Sequence, residues 1–243
     1  MRALRHEGLA RTSVKVLRYP LGRLRHRQFE KRVLSLESAE DRFTWIYRNN
    51  HWTSRESASG AGSTLKYTEN LRRELPRLWA DLSIRSVFDA PCGDFNWMRH
   101  LLQDHDIRYV GGDIVRPLID SHIARYKTDR IDFVQLDLIR DPFPEADLMI
   151  CRDCLFHLSF DDTRSVLRNF LASGIPFLLT TTHRNDGFEN RDIKTGDFRL
   201  IDLFAPPYSF PTDPLARIDD WLAPDPERQM CLWNREQIAC AMG

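Results

Sequence analysis

Two carboxylates and the turn that follows the first of them carry the earliest chemical signal. Asp89 ends the apolar run SVFD, Asp113 ends YVGGD, and the turn after Asp89 reads Ala90-Pro91-Cys92-Gly93-Asp94. Strand, tight turn and helix in that order open a nucleotide-binding α/β unit. A pyrophosphate cradle, however, uses backbone N–H donors and several glycines that let the phosphates come close. Here Pro91 has no N–H, Phe95 stands where a further glycine would allow close packing, and Asp89 and Asp94 repel a phosphate. Carboxylates at the tips of the first two strands instead select a ligand that carries positive charge beside ribose hydroxyls.

The elements that must hold these groups alternate along the chain. Strand-like segments fall at 85–90 (RSVFDA), 107–114 (IRYVGGDI), 131–138 (IDFVQLDL), 147–153 (DLMICRD) and 175–182 (IPFLLTTT). Helix-like segments are LKYTENLRRELPRLWADL ahead of the first strand, NWMRHLLQDH after it, and DDTRSVLRNFLASG. In the last, Asp161 or Asp162 is placed as the N-cap and Gly174 as the stop. Such alternation predicts a parallel sheet with right-handed crossovers. DFRLIDLF (197–204) and RQMCLWN (228–234) read as two further strands, joined by a Pro-rich stretch at 206–226. The expected fold class is α/β: a Rossmann-like, seven-stranded, mostly parallel sheet with helices on both faces, plus an N-terminal helical extension.

Four segments, in order, resemble the class I S-adenosylmethionine-dependent methyltransferases. DAPCGDF is similar to the D-x-G-x-G-x-G first motif, with Asp89, Cys92 and Gly93 matching and Pro91 and Phe95 replacing two glycines. YVGGDI is similar to the second-strand motif, whose terminal acid, here Asp113, would hold the ribose hydroxyls. FVQLDL resembles the third, which would put Asp137 and Leu138 beside the adenine. ADLMICRDCLFHL resembles the fourth, with Arg152, Asp153 and His157 facing the transfer site. The resemblance covers residues 65 to 183 and extends loosely to CLWNREQI. PCGDFNWM, GGDIV and RDCLFHLSF together resemble a bacterial branch of the superfamily. The resemblance implies an enzyme with S-adenosylmethionine as cofactor. It also implies a cofactor site of Asp89, Ala90, Pro91, Cys92, Gly93, Asp113, Ile114, Asp137, Leu138 and Arg152. This cofactor has an ammonium, a sulfonium and no phosphate, which agrees with the electrostatics of the turn.

Methyl transfer is an in-line displacement, so alignment and desolvation carry much of the rate. An oxygen acceptor also needs a base near its proton. His157, Asp153 and His183 each follow a strand end and are the catalytic candidates. After His183 the stretch RNDGFENRDIKTGDFR collects Asn185, Asn190, Asp192 and Arg199. It reads either as a surface loop or as a binding loop for a polar acceptor. The expected reaction is methyl transfer to a small polar acceptor, such as a sugar or a glycan-linked group.

The 243 residues carry 35 Lys and Arg against 35 Asp and Glu, so no global field draws the body to nucleic acid. The first 32 residues differ, with ten Lys and Arg against two Glu. They read as a basic, solvated helix, able to rest on an anionic membrane surface or to dock RNA or protein. An RNA or protein methyltransferase using that arm is one alternative function, and a non-catalytic scaffold of the same fold is another. Residues 53–68, TSRESASGAGSTLKYT, read as a flexible linker or, in that position, as an entrance loop over the ligand. The chain therefore divides into a basic helical extension (1–50), an entrance loop with its leading helix (51–84) and a cofactor-binding domain (85–243). No apolar run approaches the length of about 18 residues that spans a bilayer, and the N-terminus lacks the apolar stretch of a secretory signal, so a cytoplasmic protein is expected. Cys151 and Cys154 form a C-x-x-C without a second pair at zinc spacing, so the five cysteines are read as reduced structural thiols and no metal is expected.

Overall fold

The computed structural model describes residues 28, 29 and 31–243. The basic helix expected in the first 32 residues, and its contact with membrane or RNA, lies almost wholly outside the described residues.

Seven strands form one sheet: β1 (Ser86–Asp89), β2 (Arg108–Asp113), β3 (Ile131–Gln135), β4 (Leu148–Cys151), β5 (Phe177–His183), β6 (Ala216–Asp219) and β7 (Arg228–Asn234). Their spatial order is β3-β2-β1-β4-β5-β7-β6. Strands β1 to β5 pair in parallel, whereas β7 runs antiparallel to both β5 and β6. The order reverses between β1 and β4, and the crevice outside the carboxyl ends at such a switch point is where ligands settle.

Among the described residues the sheet is accompanied by α1 (Ala39–Arg48), α2 (Glu69–Asp81), α3 (Met98–Gln103), α4 (Arg116–Tyr126), α5 (Phe160–Ser173) and α6 (Arg235–Met242). Successive strand residues point to opposite faces, and both faces are apolar here, which is why the strands read as unbroken hydrophobic runs. Val87, Leu148, Ile150 and Leu232 pack with Leu71, Leu75 and Trp79 of α2. Phe88, Met149, Cys151 and Trp233 pack on the other face with Val166, Leu167 and Phe170 of α5 and Ile238 of α6.

Two expectations are corrected. The sixth strand is Ala216–Asp219, inside the Pro-rich stretch, and not DFRLIDLF (197–204). That segment alternates like a strand, but side chains take its amides: Ile201 N–H donates to His183 Nδ1 and Leu203 N–H to Thr182 Oγ1. β6 tolerates its proline-rich flanks because it is the edge of the sheet, paired to β7 alone. At α5 the N-cap is Ser159, not Asp161 or Asp162. The Ser159 hydroxyl accepts from the Asp162 amide at 3.1 Å, and both acids lie in the first turn, where they complement the helix dipole. Gly174 ends α5 in the left-handed conformation, as expected.

Among the described residues no helix is long and apolar enough to cross a membrane.

Candidate active site

The turn after β1 is locked to the tip of β2. The Asp113 carboxylate accepts from the Gly93 amide at 3.1 Å and from the Val115 amide at 3.0 Å. The Cys92 amide donates to the Gly112 carbonyl at 2.8 Å. Gly93 has φ +53°, and a Cβ there would overlap the Ser59 hydroxyl. Glycine is needed at this position for conformation and for room.

Ser59 belongs to the Ser/Gly-rich stretch, which docks on the turn through several bonds. The Asp94 amide donates to Ser59 Oγ at 2.8 Å, and the Ala58 amide donates to the Asp94 carboxylate at 2.7 Å. Asn96 Nδ2 donates to Glu56 at 2.9 Å and to the Ser63 carbonyl at 3.1 Å.

Asp89 is buried and accepts from the Tyr109 hydroxyl at 2.8 Å. Burial pushes its pKa up to about 7, against the opposing pull of Tyr109 and Arg152. Burial also pushes Asp113 up to about 6, although the amides of Val115 and Gly93 favour its anion. Both acids lie on a cavity of about 770 Å³. That lies within the range of about 300–1,000 Å³ typical of small-molecule sites.

Two ion pairs close one wall of the cavity. Arg152 makes a fork with Asp220, Nε to Oδ2 at 2.8 Å and Nη2 to Oδ1 at 3.0 Å, and gives Nη2 also to the Gly62 carbonyl at 2.7 Å. Arg228 donates to Asp153 at 2.8 Å and lies over the Tyr67 ring. Asp153 itself has φ +54°, a strained backbone for a residue with a side chain. Burial opposes its ionisation, but Arg152 and Arg228 outweigh burial and hold its carboxyl below the usual range.

His157 lines the same cavity. Its Nδ1 lies 2.7 Å from the Asp197 carbonyl, which can only accept, so Nδ1 carries the proton and Nε2 the lone pair. Burial lowers its pKa, leaving a neutral imidazole at pH 7. Trp52, Phe156 and Phe198 surround the ring, with centroids at 6.0, 4.6 and 5.8 Å.

At the level of sequence, no family model and no curated protein matches this chain. The fold is matched by many solved structures. Burkholderia thailandensis 1,6-didemethyltoxoflavin-N1-methyltransferase, with 1,6-didemethyltoxoflavin and S-adenosylhomocysteine bound, is similar with a TM-score of 0.58 and 18% identity, over 80% of this chain and 86% of that one. The N-methyltransferase NodS of Bradyrhizobium japonicum WM9, in complex with S-adenosylhomocysteine, gives 0.56 and 13% over 78% and 97% of the two chains. Magnesium protoporphyrin IX methyltransferase of Synechocystis PCC 6803, with S-adenosylmethionine bound, gives 0.52 and 10% over 81% and 97%. The chain has the class I S-adenosylmethionine-dependent methyltransferase fold.

Most residues singled out from the sequence come together within this methyltransferase fold. Asp89, Pro91, Cys92, Gly93, Asp113, Ile114, Asp137, Leu138, Arg152, Asp153 and His157 all line the cavity. Ala90 is buried in the core below it. His183 is not on the cavity wall: it is buried at the end of β5, accepts the Ile201 amide, and is held neutral by burial and Arg228 with a pKa of about 4. The polar loop after β5 spends its side chains on neighbouring segments of the chain. Asn185 bonds Asp202 and Asn190 bonds the carbonyls of Asp202 and Pro206. Asp192 accepts the Phe160 amide, and Arg199 bonds Tyr208 and the Arg191 carbonyl. Their neighbours Arg191, Asp197 and Phe198 line the cavity instead.

Sequence reading missed Trp52, Asp220 and Arg228. Trp52 carried a weak signal, an aromatic beside the Ser/Gly stretch. Asp220 and Arg228 carried none, since their partners lie 68 and 75 residues away in the chain.

Proposed function

We propose that this protein is an S-adenosylmethionine-dependent methyltransferase acting on a small-molecule acceptor. The observation that carries the proposal is the pair of carboxylates, Asp89 and Asp113, at the tips of adjacent parallel strands. They are buried, pushed towards neutrality by burial, and open to one cavity. Such a pair is costly until a cation arrives beside it. A phosphate would make it costlier, so the donor set fits an aminoacyl nucleoside and opposes NAD or ATP.

In this reading Asp89 receives the cofactor's ammonium and Asp113 its ribose hydroxyls. Each Asp113 oxygen accepts one backbone amide and keeps a further lone pair for a hydroxyl. Asp137, Leu138 and Ile114 flank the adenine, and Arg152, fixed by Asp220, stands at the carboxylate end. Ser59 and its neighbours, bonded to the turn, close the site as an entrance segment continuous with the 85–243 unit.

When bound, S-adenosylmethionine supplies a sulfonium methyl: the acceptor atom bonds to the methyl carbon as the carbon–sulfur bond breaks, its electron pair staying on sulfur. His157 Nε2 takes the acceptor's proton, since it is unprotonated and its ring lines the cavity. Asp153, an anion held between two arginines, is too weak a base for that step and serves to orient Arg228. His183 has its Nδ1 lone pair occupied by the Ile201 amide and acts through packing. A sugar or glycan-linked acceptor would need recognition by groups other than Asn185, Asn190, Asp192 and Arg199.

The test is calorimetric binding of S-adenosylhomocysteine, S-adenosylmethionine, NAD and ATP to the full chain, with methyl release from labelled cofactor in cell extract as the readout of turnover. Binding of the first two with exclusion of the phosphorylated pair is expected. The reverse preference would overturn the proposal.

A further inference from the structure

The half of the cavity that faces His157 has a distinct chemistry. Three rings from separate parts of the chain meet around the imidazole: Trp52 after α1, Phe156 after β4 and Phe198 from the loop after β5. Phe156 is buried, but Phe198 is 47% exposed, a large apolar ring left beside the cavity rather than in the core. Phe198 packs edge-on against Phe156 at 5.5 Å, so its position is fixed from behind while part of it remains uncovered. Asn185, Asn190, Asp192 and Arg199, which could have bound a polyhydroxylated molecule, are spent on Asp202, the Phe160 amide and Tyr208.

We propose that the acceptor is a flat aromatic or heteroaromatic molecule bearing an acidic O–H or N–H, seated against Trp52 and Phe198 with that group on Nε2 of His157. This rests on the methyltransferase reading above and specifies the acceptor for it. Ring-on-ring contact explains why an exposed phenylalanine and a tryptophan flank this unprotonated imidazole.

The base itself points the same way. An imidazole whose pKa burial has lowered takes a proton readily only from a group that is already acidic. A phenol, with a reference pKa of about 10, or a ring N–H is far closer to that requirement than the aliphatic hydroxyl of a sugar. On transfer the aromatic oxygen or nitrogen forms its bond to the methyl carbon, the carbon–sulfur pair goes to sulfur, and the acceptor proton passes to His157.

The experiment uses the full chain saturated with S-adenosylhomocysteine, followed by calorimetry. It is titrated with 7-hydroxycoumarin, catechol and xanthine as ring probes and with glucose and N-acetylglucosamine as sugar probes. At least one ring probe is expected to bind tenfold or more tightly than either sugar. Phe198→Ala should weaken that probe roughly 2- to 10-fold, the size of one aromatic contact, and Phe198→Tyr should restore it. S-adenosylhomocysteine affinity should stay within twofold in both variants, which separates a lost acceptor contact from a disturbed fold. Sugar binding that equals or exceeds ring binding, no ring binding at saturating cofactor product, or a Phe198→Ala variant that binds rings as well as the parent would overturn the proposal. Failure to bind S-adenosylhomocysteine at all would remove the methyltransferase reading first, and this inference with it.

Discussion

Arg152 and Asp220, 68 residues apart, face each other through two hydrogen bonds of 2.8 and 3.0 Å, with side-chain exposures of 4% and 0%. Planar two-bond geometry of this kind fixes a guanidinium in direction as well as place. It holds the arginine that follows β4 rigid at the cavity wall, while Asp153 balances the second arginine, Arg228.

Breaking that fork should cost more than an average substitution. Asp220→Ala removes the two-bond partner of a buried arginine and leaves it, as counter-charge, only the longer contact to Asp153 at 3.4 Å, a loss of about 3 kcal/mol. For a chain of this size a fall in melting temperature of roughly 10 °C is expected by scanning calorimetry. A change of only a degree or two would mean that Asp153 alone suffices to balance Arg152.

The two raised carboxylates set a pH dependence whose sign is fixed. Asp89 and Asp113 hold their protons up to about pH 7 and about pH 6 in the folded chain. Their unfolded counterparts release them near the reference value of about 3.9. Between these limits the folded state binds more protons, so without ligand the contribution to stability declines as pH rises. A cation beside the pair favours the anions, so cofactor binding should expel protons near neutrality. Titrations with S-adenosylmethionine in buffers of different ionisation enthalpy should give different apparent heats, and Asp89→Asn should remove most of the difference. Identical heats in every buffer would count against the assignment.

Gly93 and Ser59 should show energetic coupling. Gly93→Ala adds a Cβ onto the Ser59 hydroxyl at a positive φ, and S-adenosylhomocysteine affinity should drop at least tenfold. In a Ser59→Gly background the overlap disappears and only the backbone strain of about 1 kcal/mol remains. The double variant should therefore bind better than Gly93→Ala alone, and strict additivity in the cycle would contradict the docking of the loop on the turn.

His157→Asn should separate binding from chemistry. S-adenosylhomocysteine affinity is expected to hold, while turnover falls by about 10²–10⁴, the usual contribution of a positioned base. The rate should also lose its dependence on deprotonation of a group below pH 6.5, the side of neutrality to which burial moves this histidine. Unchanged turnover would relocate the base.

Much of the cavity wall at the strand tips was legible because it is local. Asp89 and Asp113 stand at the ends of short apolar runs, with Gly93 in the turn after the first, and parallel pairing brings those ends to one edge of the sheet. The edge strand was not legible: RLIDLF alternates better than ARID, and only the three-dimensional placement of His183 and Thr182 reveals that its amides are already taken. The Ser159 cap lost to Asp161 and Asp162 on paper because all three side chains suit a cap, and geometry alone decides among them. The polar loop misled in the same way, since a sequence displays hydrogen-bonding groups without showing which are already spent.

Strand β7 runs against its neighbours, and this places Arg228, its first residue, opposite His183, the last residue of β5. The ligand edge thus recruits a side chain from a part of the polypeptide made long after the four motifs. A truncated product ending at residue 215 would display all four motifs. It would nonetheless lack Asp220 and Arg228, leaving Arg152 and Asp153 stripped of their long-range counter-charges.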